Sequence, residues 1–600
     1  MDEQAIRELL TKVHAGRLSR RIFIQGMLSL GLTAPMAAQM LAAAGPVQAQ
    51  PKANGFTPTK RGGGGRLRLL WWQAPTHLNG HFGTGTKDQD AARPVYEPLC
   101  SFDPDGNFVP VLAAEVPTQR NGGLSKDAKT VTWRLKKGVQ WHDGKPFTAD
   151  DVIFTWEYAA DPTTAAVTVT SYRDIDKIER VDDHTVKVIF KEPRAFWYDA
   201  FFGVRGYILP KHLLKDYKGA RAREAPQNQK PIGTGPYRVV DFKPNDAARY
   251  ELNPHYHVPN RPFFDLVELK GGGDAPSAAR AVLQTGEFDY AWNMQIEWEV
   301  LKRLQQGGKG TLVHTITGNI EHIQLNRTDP WTEVEGERAS IKSKHPLFQD
   351  PRVRQAMALL VDRGTVHEEL YGDTGQATAN FLNAPARYLS KNTRWEFNLD
   401  KANKLLDEAG YRRGSDGIRL GRDGKRVKLL FQTSINSLRQ KNQALIKQAC
   451  AKAGIDVELK SVTAAVFFSP DQANPDTYSH FYADLQMYNT TLTSPDPQFF
   501  MNQFLSTEAA QKANHWAGRN PTRWRNEEYD RLWKAAEVES DPVKRAALFI
   551  KLNDLVVSDV AVIPEIWRKR TSAVGTKLRG LALSGFDSDL WNLANWHREG

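Results

Sequence analysis

Apolar and polar residues first alternate regularly at Arg66-Leu67-Arg68-Leu69-Leu70-Trp71, a β-favouring run that predicts the first strand of the folded protein. Thr130-Val131-Thr132-Trp133-Arg134-Leu135 alternates in the same way and runs into the turn Lys137-Gly138. Thr185-Val186-Lys187-Val188-Ile189-Phe190 predicts a further half-buried strand. Elsewhere the period is that of a helix. Thr148-Ala149-Asp150-Asp151-Val152 reads as a helix start, Thr148 as N-cap and Asp151 at the position of a capping box. Asn398 to Ala409 places Leu399, Ala402, Leu405, Leu406 and Ala409 on one face, and Gly410 closes it. Asp541-Pro542 starts another helix, with a predicted stripe of Val543, Ala546, Ala547, Ile550 and Leu555. Strands and helices interleave throughout with no repeat of roughly 20–50 residues, which predicts a mixed α/β fold.

Length makes this more than one domain, because 600 residues exceed what one core organises. With 40% hydrophobic and 25% charged residues the chain reads as soluble. A net charge of +11 raises the question of nucleic acid. The Lys and Arg are scattered, with no arginine-rich tract and no recognisable reading motif, so no nucleic-acid partner is expected. Sixteen Trp supply rigid, amphipathic surface, mostly for cores. Cys100 and Cys450 are too few for a disulfide framework and fall in different predicted domains, so no bridge between them is expected.

The first 49 residues decide the compartment. Ser19-Arg20-Arg21-Ile22-Phe23-Ile24 resembles the twin-arginine export motif; a weakly apolar stretch from Gly26 to Gly45 follows. It ends at Val47-Gln48-Ala49, a small-x-small site that predicts cleavage after Ala49. Gln39, Pro35 and three glycines make that stretch marginal for a bilayer span of about 20 apolar residues. Losing it removes five Lys/Arg and three Asp/Glu and leaves a charge of +9. A periplasmic location follows as the expectation. Residues 50–65, ending in Gly62-Gly63-Gly64-Gly65, read as a flexible lead.

No G-x-S-x-G elbow, H-E-x-x-H, C-x-x-C, P-loop or dinucleotide glycine pattern occurs, so an enzyme is not expected; a hydrolase built from scattered residues is the less favoured alternative. His142-Asp143 and His255-Tyr256-His257 lack a third ligand nearby. The former reads as a surface turn, and no metal or cofactor is expected. Gly233-Thr234-Gly235-Pro236 reads as a tight turn that needs permissive backbone angles.

Several segments carry a resemblance. They are Val95-Tyr96-Glu97-Pro98-Leu99, Gly106 to Ala113, Trp133 to Val152, Pro231 to Tyr237, Asn326, and Phe348 to Met357. In that order they resemble the dipeptide- and oligopeptide-binding receptors of ABC importers, solute-binding family 5, from about residue 66 to the C-terminus. The resemblance implies a two-lobed periplasmic-binding-protein fold with an extra domain on the first lobe. The first lobe falls at 66–93, 232–335 and 560–600, the extra domain at 94–231 and the second lobe at 336–559. It implies a monomer that closes over a small solute, a peptide or something peptide-like, and delivers it to ABC permease subunits.

Peptide-binding members pair the ligand's amino group with an aspartate just before an acidic-Pro turn. If Asp496-Pro497 is that turn, the aspartate's position holds Thr493, which carries no charge. Asp496 is then the candidate substitute, with turn capping as its other reading. An opine, a sugar derivative or a metal chelate stays open as ligand. Trp72, Gln73, Asn326, Tyr488 and Asn489 are the other ligand-binding candidates.

Overall fold

The computed structural model describes residues 56–599 apart from Thr84, Arg422, Pro470 and Ser540. The twin-arginine motif at Arg20-Arg21 and the cleavage site at Ala49 lie outside the described residues.

The glycine run corrects the expectation of a flexible lead. Gly62 and Gly64 donate their N–H groups to the carbonyls of Pro262 and Phe263 at 2.9 and 3.0 Å. Gly63 and Gly65 donate to the two carboxylate oxygens of Asp265, each at 2.8 Å. Gly62, Gly63 and Gly65 have positive φ, and a Cβ on Gly64 would overlap the Phe263 ring. Glycine is needed here for fixed geometry, not for freedom.

β1 (Arg66–Trp71) buries Leu67, Leu69 and Trp71 on one side, as its alternation predicts. β2 (Thr130–Arg134), β3 (Ile175–Asp182) and β4 (Thr185–Phe190) form a separate antiparallel sheet in the order β2-β4-β3. Across it lies α1 (Ala149–Ala160), opened at Thr148, whose N–H donates to Asp151 Oδ2 at 3.0 Å. Next come β5 (Tyr237–Lys243), β6 (Ala247–Leu252), β7 (Leu266–Gly271), α2 (Ala275–Leu283), β8 (Tyr290–Ala291) and α3 (Trp298–Gln305).

β9 (Gly310–Leu325) is the first of two long strands. Then follow α4 (Pro351–Leu359), β10 (Gly375–Ala377), α5 (Leu399–Glu408), β11 (Lys428–Ser434), α6 (Ser437–Lys452), β12 (Asp456–Val462) and β13 (Leu485–Thr490). α7 (Glu527–Val538), α8 (Pro542–Ser558) and the second long strand, β14 (Val562–Gly575), complete the principal elements. Eleven strands share one sheet in the order β12-β11-β13-β9-β14-β8-β1-β7-β6-β5, with β10 on β14.

The two long strands join the halves of that sheet. Gly310–Thr315 pairs with Arg570–Gly575 beside β8, and Asn319–Gln324 pairs with Val562–Arg568 beside β13. The register breaks between Thr315 and Asn319, where Ile316 is 65% exposed. One apolar cluster serves the half built on β1 and β5–β8, and a second serves the half built on β11–β13. A third runs from the small sheet and Phe102, Phe202 into Phe381, Phe500 and Phe549.

α5 starts where predicted: Asn398 accepts from the Lys401 N–H at 2.9 Å, and Ala402 and Leu406 are buried. The predicted stripe of α8 holds only in part: Ala546 and Leu555 pack against the third cluster. Val543 is exposed, and the buried face carries Arg545, Phe549, Leu552, Asn553 and Val556. A charged residue sits on that face because it finds a carboxylate there. The Gly233–Gly235 turn is also corrected. Neither glycine has positive φ; a Cβ on either would overlap the Val95 backbone, so close approach is the reason for glycine. His142 is buried rather than on the surface: its Nε2 faces the Gly235 carbonyl at 3.1 Å and its Nδ1 accepts from the Gly233 N–H at 3.2 Å. Cys100 and Cys450 are both free and buried, in different clusters. No helix among the described residues is long and apolar enough to cross a membrane.

Candidate ligand-binding cleft

Trp72 follows β1, packs on Trp292 with ring centroids 6.1 Å apart, and donates its indole N–H to the Asn293 carbonyl at 2.8 Å. Asn293 Oδ1 accepts from Arg568 of β14 at 3.3 Å. Arg568 stands opposite Asn319 of β9 and reaches Glu321 at 3.4 Å; Glu321 stands opposite Asn489 of β13. Opposed residues share a face of a sheet. A polar row therefore runs from the first half of the molecule, over the crossing strands, to the second half.

Along this row one carboxylate, Glu321, serves two guanidiniums, Arg439 and Arg568. Burial alone would push the Glu321 carboxyl up, but the Arg439 guanidinium at 2.9 and 3.0 Å and Arg568 outweigh it and hold the group below its usual range. Arg439 also donates to Gln295 Oε1 at 3.2 Å, tying α6 to the β8 side. Two buried oxygens of the row, Asn319 Oδ1 and Asn489 Oδ1, have no partner among the described residues. Leaving such an atom unpaired costs about 1–3 kcal/mol.

The candidates separate on inspection. Trp72 and Asn489 lie at the two ends of this row. Gln73, the next residue after Trp72, is half-buried and makes no side-chain hydrogen bond to the described residues. Tyr488 sits on the other face of β13, its hydroxyl accepting from Gln324 at 3.0 Å, its ring against His322, Phe467, Phe468 and Tyr478. Burial holds the nearby His322 ring down at about 4, and its Nε2 has no hydrogen-bond partner among the described residues.

Asn326 is corrected to an internal role. Its amide donates to the carbonyls of Phe481 and Ala483, and its Oδ1 accepts from the Thr328 N–H and hydroxyl. That leaves nothing to offer a ligand. Asp496 is corrected likewise. Arg545 binds both its carboxylate oxygens at 2.7 and 2.9 Å, the Gln498 N–H donates to Oδ1 at 2.9 Å, and Tyr198 reaches Oδ2 at 3.4 Å. A carboxylate so filled, on a residue 2% exposed, cannot also anchor a ligand cation.

Around Thr493 the structure supplies residues that sequence reasoning missed. Arg205, from the segment after β4, donates to Thr493 Oγ1 at 3.1 Å and to Asp199 at 2.9 Å. Its guanidinium lies 3.1 Å from the Phe499 ring centroid, and that of Arg519 lies 3.8 Å from the same ring. Nothing in the local sequence of Arg205 or Arg519 announces this meeting, which joins segments almost 300 residues apart.

Both rims of the molecule are in contact. On one, the Ala195 N–H donates to the Glu537 carbonyl at 3.1 Å, and Arg173 lies 3.7 Å from Glu508. On the other, Lys441 lies 3.2 Å from Glu297. This is a two-lobed molecule whose halves touch at these points.

A family model described as bacterial extracellular solute-binding proteins, family 5, middle, matches residues 107–512. The chain is similar to the oligopeptide-binding protein AppA of Bacillus subtilis, 26% identical over 533 residues that cover 87% of this chain and 89% of that protein. It is similar to di/tripeptide-binding protein 2 of Pseudomonas aeruginosa, 24% identical, with 85% of this chain and 88% of that one covered. The solved structure of AppA in complex with a nonapeptide matches with a TM-score of 0.76 at 25% identity, over 91% of this chain and 100% of that one. NikZ from Campylobacter jejuni in complex with Ni(L-His) matches in fold, with a TM-score of 0.74 at 22% identity, over 89% of this chain and 99% of that one.

Proposed function

The chain belongs to family 5 of the bacterial extracellular solute-binding proteins, and on that premise we propose that it is the receptor of an ABC importer for short peptides or peptide-like solutes. It binds by closing its lobes and hands the solute to a membrane permease; it acts as a monomer and performs no chemistry. The observation that carries this reading is the polar row from Trp72 to Asn489. It bridges the lobes, and it keeps two buried oxygens, on Asn319 and Asn489, unpaired. An extended peptide offers backbone N–H donors at strand spacing, the groups such acceptors need. Likeness to AppA and to the di/tripeptide-binding protein over most of both chains supports the ligand class.

Native mass spectrometry of the protein purified from its host reads the co-purified mass directly, and a thermal-shift screen extends it. Ligand at about 100 times its dissociation constant adds about 2.7 kcal/mol of stability. Failure of all di- to pentapeptides, with success of an oligosaccharide or metal chelate, refutes the peptide assignment.

Export by the twin-arginine route, with cleavage after Ala49, is part of the proposal and rests on Arg20-Arg21 and Val47-Gln48-Ala49. The doubly substituted R20K/R21K precursor is expected to stay in the cytoplasm. Normal periplasmic maturation of that variant excludes the route.

A further inference from the structure

Thr493 carries no charge, and the charged side chain that donates to it is a guanidinium. Arg205 donates to its hydroxyl, and Arg205 and Arg519 both lie against Phe499. The anionic groups nearby are already engaged. Asp199 receives Arg205 at 2.9 Å and lies 3.9 Å from Arg194. Glu508 accepts the Arg519 backbone N–H at 3.4 Å and lies 3.7 Å from Arg173. Asp496 is filled by Arg545.

The Arg519 guanidinium donates only to the Phe499 carbonyl, at 3.2 Å, and no carboxylate among the described residues lies within ion-pair distance of it. Thr493, Phe499, Arg205 and Arg519 each keep part of their surface open, and Thr493 lies just beyond the strand that carries Asn489 of the polar row.

Resting on the peptide-receptor reading above, we propose that this end of the cleft takes an anionic group of the ligand, of the carboxylate class, held by Arg205 and Arg519 over Phe499. The ligand is then an amino-blocked, acidic or opine-like peptide derivative. A ligand ammonium would meet two guanidiniums here, whereas a carboxylate completes donors that the protein leaves open. Burial, with Arg519 as a like-charged neighbour, brings the Arg205 guanidinium down to about 10 despite Asp199, and burial lowers Arg519 too. Arg205 has Asp199 as its partner, whereas Arg519 has no carboxylate at ion-pair distance among the described residues.

The test uses one tripeptide, Ala-Phe-Ala, in three forms: free amine, N-acetyl and N-succinyl. Each is titrated calorimetrically into the parent, Arg205→Gln and Arg519→Gln. In the parent, the N-succinyl form is expected to bind about tenfold or more tightly than the free-amine form. Either glutamine variant removes that preference and leaves the N-acetyl affinity within about threefold. A merely structural role would weaken all three forms alike, and that result overturns the proposal, as does a parent that prefers the free amine.

Arg205→Lys and Arg519→Lys keep the charge and are expected to keep the preference. They separate loss of charge from misfolding, which circular dichroism checks for every variant. If no tripeptide binds, the peptide reading fails by itself, and succinate against 1,4-diaminobutane decides the charge. Thermal stabilisation by succinate that Arg519→Gln abolishes supports the site; stabilisation by the diamine, or by neither, overturns it.

Discussion

Replacing Asp496 by Asn separates an internal ion pair from a ligand anchor, because the two roles predict different losses. The carboxylate takes both Nη groups of Arg545, on residues 2% and 5% exposed. Arg545 also donates to Gln498 Oε1 at 3.0 Å and to the Ala536 carbonyl at 3.0 Å, so the guanidinium is fixed from several sides. Asn keeps the shape but removes the charge and turns an NH₂ towards a guanidinium. A buried cation left without its partner costs about 3–5 kcal/mol. Replacing both, Asp496→Leu with Arg545→Met, removes the charges together and is expected to return to within about 1 kcal/mol of the parent. A multi-lobed chain need not unfold in one step, so the proper assay is native-state hydrogen exchange at the amides of α8, which carries Arg545. Calorimetry with a bound solute runs beside it. The double variant is expected to bind within threefold of the parent. Asp496→Asn with unchanged protection in α8 and a loss of more than about a hundredfold in affinity would refute the internal-pair reasoning.

Burial raises the Glu565 carboxyl to about 7, although Asn442 donates to it at 2.6 Å; one of its oxygens has no partner among the described residues. Its neutral form therefore supports the fold fully below about pH 4.5, and that support is lost as pH rises through 7, a difference of about 3 kcal/mol at most. Glu565→Gln should gain on the parent by up to that amount between pH 5 and 8 in exchange measurements on β14; parallel profiles would contradict it. Burial also raises both thiols, Cys450 to about 12. Maleimide is expected to label neither cysteine in the native protein and both in urea, and native labelling of either would show that its cluster opens.

Local grammar reads well in the sequence where the residue's own neighbours decide its state. β1 shows in its alternation, and α5 shows in Asn398 followed by Leu399, Ala402 and Leu406. The same grammar misses the charged part of the buried face of α8, because a hydrophobic count scores Arg545 as solvent-facing, and only the Asp496 carboxylate makes it a core residue. It also fails on Gly62–Gly65, where composition suggests freedom and Asp265, some 200 residues on, removes it. The site divides in the same way. Trp72 and Asn489 could be named from the sequence because one follows β1 and the other lies in β13, segments to which the family resemblance draws attention. Asn326 sits at the expected place in the chain, but its amide turns inward to two carbonyls of a loop. Arg205 and Arg519 were out of reach, since their meaning comes from one ring, Phe499, between two distant segments.

Closure can be weighed from the contacts that make it. The polar rim pairs are weak: the Lys441 side chain is 59% exposed and that of Arg173 45% exposed, and such pairs contribute about 0–1 kcal/mol each. The apolar cluster shared by Phe102, Phe202, Phe381 and Phe500 favours the closed form without regard to what lies between the lobes. Opposing it, Arg205 and Arg519 lie together beside the Phe499 ring with only Asp199, on Arg205, at ion-pair distance among the described residues. A solute that shifts such an equilibrium from about 1:99 to 99:1 must prefer the closed form by about 5.5 kcal/mol. Micromolar binding is worth about 8 kcal/mol in all, so most of the affinity must come from contacts present only after closure. Under the proposal the two guanidiniums at Thr493 are such contacts, because Arg205 and Arg519 come from segments far apart in the chain and meet at Phe499. An anion held between them, as proposed, would add affinity through the same cluster that joins those segments.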